Sequence, residues 1–84
     1  MTVTLRLFAA AREAAGRGHD TFEQDRTPTL QALLDAATSA YGPTFGRILE
    51  SSRVWVNGDE PAAGPETTLS DGDEVAVLPP VSGG

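Results

Sequence analysis

The sequence predicts an α+β roll, in which one main helix packs across a mixed sheet and an extended tail leaves the last strand. Three patterns carry that prediction. Apolar residues alternate at period two near both ends of the chain, one amphipathic helix pattern lies between them, and glycine, proline and asparagine punctuate the boundaries. The elements follow in order.

Val3, Leu5 and Leu7 alternate with Thr2, Thr4 and Arg6, as in a strand with one face on the core, and Phe8 continues past it. Ala9 to Ala15 is rich in strong helix formers and stops at Gly16, which predicts a short helix. Thr21 and Phe22 mark a second, weaker strand. Leu30, Leu33, Leu34 and Ala37 keep the i, i+3, i+4, i+7 spacing of an amphipathic helix, with Thr29 as its N-cap and Gly42-Pro43 as its stop. Val54 and Val56 alternate with Arg53, Trp55 and Asn57 as a third strand. Asn57-Gly58 then predicts a tight turn into a hairpin with a short edge segment near Pro61. Asp71-Gly72-Asp73 is a further turn, after which Glu74 to Leu78 forms the final strand. The order is strand, strand, helix, strand, strand, with the first and last strands adjacent and parallel, giving a folded unit over 1–78 and a tail over 79–84.

Composition narrows the function. A chain of 84 residues makes one small domain with a simple core, so a deep private active site is not expected. It contains no cysteine, which removes a disulfide framework, a thiolate metal site and a cysteine nucleophile. No apolar run has membrane-spanning length, and Thr4 and Arg6 interrupt the apolar N-terminus, so the cytoplasm is the expected location. The net charge of −6 argues against nucleic acid and for a protein partner with a basic face. All six cations are arginines, and guanidiniums, unlike lysine amines, do not attack an activated acyl group. Composition bias toward arginine accounts for that equally well.

Several tempting residues take ordinary readings. His19 is the only histidine and has no cysteine or second histidine with which to bind metal. Asp71, Asp73 and Glu74 lack calcium-loop spacing and read as a turn before a strand. Trp55 reads as a strand residue packed on one sheet face. Gly16 and Gly18 lack the spacing and lysine of a nucleotide loop.

The tail is the most telling segment. Pro79 and Pro80 hold the backbone extended and supply no backbone donors. The run from Pro79 to Gly84, at about 3.3 Å per residue, can reach roughly 20 Å, about the depth of an active-site cleft. Gly83 and Gly84 have no side chains, so they can thread a narrow channel and offer a terminal carboxylate to chemistry performed by another protein.

Two strands, a helix and two strands at this length form the β-grasp arrangement. The run Asp71-Gly72-Asp73-Glu74-Val75, followed by Leu78-Pro79-Pro80-Val81-Ser82-Gly83-Gly84, resembles the C-terminal signature of the MoaD/ThiS family. Leu7-Phe8-Ala9-Ala10-Ala11-Arg12-Glu13 resembles the MoaD branch, and with Val56-Asn57-Gly58 the resemblance spans nearly the whole chain. Only Asp59 to Thr68 does not align securely.

The resemblance implies a ubiquitin-like sulfur carrier. An E1-like adenylyltransferase (MoeB-like) would use ATP to adenylate the Gly84 carboxylate, and a sulfur donor system would convert it to a thiocarboxylate. The carrier itself binds no cofactor. The loaded tail would enter the large catalytic subunit of molybdopterin synthase (MoaE-like), in a heterotetramer of two small and two large subunits, and supply sulfur for the dithiolene of molybdopterin. By the same resemblance Gly83 must lack a side chain to pass the constriction. Pro79, Pro80, Val81 and Ser82 line the channel, Ser82 as a tolerated small residue more than one with a specific role, and Phe8, Leu78 and Arg12 match positions that face protein partners. Phe8 and Leu78 could equally be core, and Arg12 a solvated arginine. Two other functions stay open: a carrier for thiazole or cysteine biosynthesis, and a ubiquitin-like modifier or binding module.

Overall fold

The computed structural model describes residues 1–80, so the roles expected of Val81, Ser82, Gly83 and Gly84 lie outside the described residues. The chain runs β1 (Thr2–Leu7), α1 (Ala9–Ala15), β2 (His19–Glu23), α2 (Leu30–Tyr41), α3 (Pro43–Glu50), β3 (Arg53–Val56), a 3-10 turn (Gly64–Glu66) and β4 (Glu74–Leu78). The sheet order is β2-β1-β4-β3. β1 and β4 pair in parallel at its centre, Leu5 opposite Val75 and Leu7 opposite Val77, and the outer two pairings are antiparallel.

Strand alternation sends Val3, Leu5, Leu7, Val75 and Val77 to one face, where all are buried. Leu30, Leu33 and Ala37 of α2, Ala11 of α1, Phe45 of α3 and Leu69 complete the core against them. α2 starts as its sequence dictates: the Thr29 hydroxyl oxygen accepts the Ala32 N–H at 3.2 Å. α1 ends on Gly16 at φ 77°, a left-handed cap that suits glycine.

Two features depart from the sequence expectation. Gly42-Pro43 ends α2 but does not end the helical layer, because Gly42 at φ 102° turns the chain and Pro43 opens α3 at a first-turn position where its missing N–H costs nothing. α3 buries Phe45 completely and stacks it edge-on against Tyr41, ring centroids 5.1 Å apart. The sheet is therefore covered by three helices rather than one main helix with a short companion. The second departure is at Asn57-Gly58: the tight turn forms, but the return strand ends after the single bridge between Val56 and Asp59. Past it the chain makes the 3-10 turn Gly64–Glu66 instead of an edge strand near Pro61.

Candidate functional site

The sheet has helices on one face only. On the other, the same alternation presents Arg53 and Trp55 from β3, Glu74, Ala76 and Leu78 from β4, and Arg6 from β1. Trp55 lies opposite Ala76 in the β3–β4 register, and Arg53 opposite Leu78. The small Ala76 side chain leaves the indole a shelf between strands, and Trp55 is half-buried there. Arg6 Nε meets Glu74 Oε2 at 2.8 Å and closes one side of this face with an exposed ion pair.

Phe8 joins the face from the end of β1. It is the extended N-cap of α1, with φ −126° and ψ 154°, and Ala9 follows at φ 51° in the left-handed region. Alanine is disfavoured there, so the chain holds an abrupt corner between strand and helix that leaves the Phe8 ring 44% exposed. Leu78 is 36% exposed at the end of β4. Phe8, Trp55, Ala76, Leu78, Pro79 and Pro80 line one shallow, mostly apolar groove of about 650 Å³ at the point where the chain leaves the sheet. Pro79 is half-buried and Pro80 exposed.

Of the predicted partner-facing residues, the structure thus brings Phe8 and Leu78 together beside the tail root, and neither belongs to the core. Arg12 is exposed but lies elsewhere: it lines a separate depression with Arg17 and Gly18, its guanidinium side chain packed against Gly18. Trp55 and Ala76 are groove residues that sequence reasoning did not assign to a site. Their signal was in the alternation, since both fall out of phase with Val54, Val56, Val75 and Val77. His19 is exposed at the start of β2. Among the described residues no three His, Asp or Glu side chains gather where they could hold a metal ion. No helix among them is long and apolar enough to cross a membrane.

Ser51 and Arg53 are the groove's polar lining residues, and no carboxylate or imidazole joins them, so the groove has the make-up of a surface for recognition beside Pro79-Pro80. The profile of the ThiS family matches residues 5–84. The chain belongs to the ThiS family. This ThiS-family chain is 32% identical, over all of both sequences, to the molybdopterin synthase sulfur carrier subunit of Chlamydomonas reinhardtii. The solution structure of small archaeal modifier protein 1 from Methanosarcina acetivorans superposes with a TM-score of 0.85 at 30% identity, covering 99% of this chain and 96% of that one. Subunit 1 of the molybdopterin-converting factor of Helicobacter pylori 26695, solved in a complex with subunit 2, superposes with a TM-score of 0.69 at 25% identity over the whole of both chains. The four-stranded mixed sheet with its helical layer is the β-grasp, ubiquitin-like fold of the family.

Proposed function

We propose that this chain is the sulfur carrier subunit of a molybdopterin synthase. The observation that carries the reading is the exposed groove of Phe8, Trp55 and Leu78 at the root of a Pro79-Pro80 tail, on a chain similar end to end to such a subunit. The Gly84 carboxylate attacks the α-phosphorus of ATP within an E1-like activator, pyrophosphate leaves, and a donor sulfur then displaces AMP to give the thiocarboxylate. The large catalytic subunit binds the groove, takes the tail into its active site through a channel that Gly83 must pass without a side chain, and uses the sulfur for the dithiolene. Pro79, Pro80, Val81 and Ser82 supply the extended reach and small contacts inside that channel. Phe8 and Leu78 anchor the groove contact. Arg12 reaches a partner carboxylate from its separate position beside α1. The Helicobacter pylori relative was solved as a complex of subunits 1 and 2 of the molybdopterin-converting factor, which supports a partner of that kind.

Incubation of the chain with ATP, an E1-like adenylyltransferase and a sulfide source tests the reading. The intact mass should rise by about 16 Da, one terminal oxygen replaced by sulfur, with tandem fragmentation placing it on Gly84 rather than on an oxidised Met1 or Trp55. A terminus that stays unmodified under these conditions overturns it.

The likeness to a small archaeal modifier protein favours a second reading, in which the activated carboxylate forms amide bonds with target lysines. Isopeptide-linked conjugates in cells, with no transfer of sulfur to a pterin precursor by the cognate large subunit, would select the modifier. A thiocarboxylate that feeds thiazole or cysteine synthesis instead would keep the carrier chemistry and change the pathway.

A further inference from the structure

The turn that follows β3 carries a chemistry of its own, beside the tail root. Asn57 is the one asparagine in the chain, and glycine follows it. Glycine offers no side chain to hinder its own amide nitrogen, so Asn-Gly is the sequence most open to ring closure between an asparagine side chain and the next backbone nitrogen. The turn is exposed, with Asn57 at φ 52° and Gly58 at φ 84°, the positive values a two-residue hairpin turn requires. Ring closure needs Cγ of Asn57 to swing onto the Gly58 nitrogen. The structure holds it elsewhere: Nδ2 donates to Asp73 Oδ1 at 3.0 Å, and Oδ1 accepts the Glu74 N–H at 2.9 Å. The Asn57 N–H donates in turn to the Glu74 carbonyl at 2.7 Å. Asp73 is itself fixed, its Oδ2 accepting the Ser70 N–H at 2.8 Å.

We propose that Asn57 is a latent deamidation site, restrained by its hydrogen bonds to Asp73 and Glu74, and that its conversion to a carboxylate unlatches the turn after β3 from the start of β4. The Gly58 nitrogen gives its proton to water and attacks Cγ. The new Cγ–N bond closes a succinimide while Nδ2 takes a proton from water, the Cγ–Nδ2 bond breaks and ammonia leaves. Water then opens the ring to aspartate or isoaspartate. Either product loses the donor to Asp73 and sets a negative charge against it, beside Glu74, where like charges repel. β4 leads into the tail, so the damage falls on the strand that positions it.

The test follows the intact mass of the full chain during storage in mildly alkaline buffer, natively and in urea, where each deamidation adds about 1 Da and peptide mapping assigns it. The native chain should convert at least about tenfold more slowly than the unfolded one, the weight of the two side-chain hydrogen bonds. Asp73→Ala should speed native conversion about fivefold. Equal rates in buffer and urea overturn the restraint, as does an unchanged rate in folded Asp73→Ala. If Asp73→Ala fails to fold, the ratio for the unsubstituted chain decides alone. Asn57→Asp mimics one product and should melt about 4–8 °C lower. A melting point equal to that of the unsubstituted chain overturns the unlatching.

Discussion

The two faces of the sheet are built from the same strands, one residue out of step, and they have opposite fates. The inner face buries Val3, Leu5, Leu7, Val75 and Val77 under three helices. The outer face leaves Phe8, Trp55 and Leu78 against solvent beside the tail root. Strand geometry separates the face that folds from the face proposed for recognition at a spacing of one residue, which is as close as a polypeptide allows. A change on the inner face should cost stability and a change on the outer face should cost binding.

The largest effect should come from the inner face. Phe45 is fully buried, packs against Tyr41 and pins α3 to the rest of the helical layer. Phe45→Ala should lower unfolding stability by about 3–5 kcal/mol, a cavity cost large enough to threaten a domain of this size. Chemical denaturation measures it, and a loss below about 1 kcal/mol would mean that α3 is peripheral to the fold.

The outer face should answer in the opposite sense. Leu78→Ala and Phe8→Ala remove exposed apolar groups and should each change stability by less than about 1 kcal/mol. Each should weaken binding to the large subunit about tenfold or more, as central apolar anchors do. Calorimetric titration of the two subunits, alongside thermal melts, separates the readouts. Variants that lose stability without losing affinity would move Phe8 and Leu78 to the structural side of the comparison.

How far each face could be read in advance follows from the same geometry. The inner strands announce themselves by alternating valine and leucine, and the parallel β1–β4 pairing follows from the order of elements. α3 did not announce itself, because Gly42-Pro43 serves as the end of one helix and the start of the next. The clue lay downstream, in Phe45, Ile48 and Leu49 at helical spacing. Leu69, buried within an otherwise polar stretch, carried no periodic signal at all. Asn57-Gly58 gave the turn but not the length of its return strand, since a single bridge suffices where the latch to Asp73 and Glu74 holds the register. On the outer face, the resemblance pointed to Phe8 and Leu78, which the structure leaves exposed at the end of the sheet, whereas Trp55 became a groove residue only once Ala76 was seen opposite it. Arg12, which the same resemblance groups with Phe8 and Leu78, sits near Phe8 in sequence but in a different depression in space.

The smallest expected effect lies at the rim of the inner face, where the apolar layer closes on a polar contact. Asp20 of β2 accepts a hydrogen bond from the Tyr41 hydroxyl at 2.7 Å and lies 3.2 Å from the Arg17 guanidinium. Partial burial pushes the Asp20 carboxyl up, but the bonds from Tyr41 and the Thr21 N–H, with Arg17 beside it, outweigh this and hold it below the usual carboxylate range. Burial first, then the Asp20 carboxylate, raises the Tyr41 phenol. A carboxyl depressed on folding stabilises the native state above its unfolded value of about 3.9, and that contribution fades as pH falls through the lower folded value. For the phenol the sign is reversed, and stability should fall as pH rises above the unfolded value of about 10. Asp20→Asn should cost about 1 kcal/mol at neutral pH, because the contact is partly exposed, and its melting temperature should fall less steeply than that of the unsubstituted chain below about pH 4. Melting curves that stay parallel down to strong acid would show that Asp20 does not clamp β2 to α2, and that the inner face is closed by its apolar residues alone.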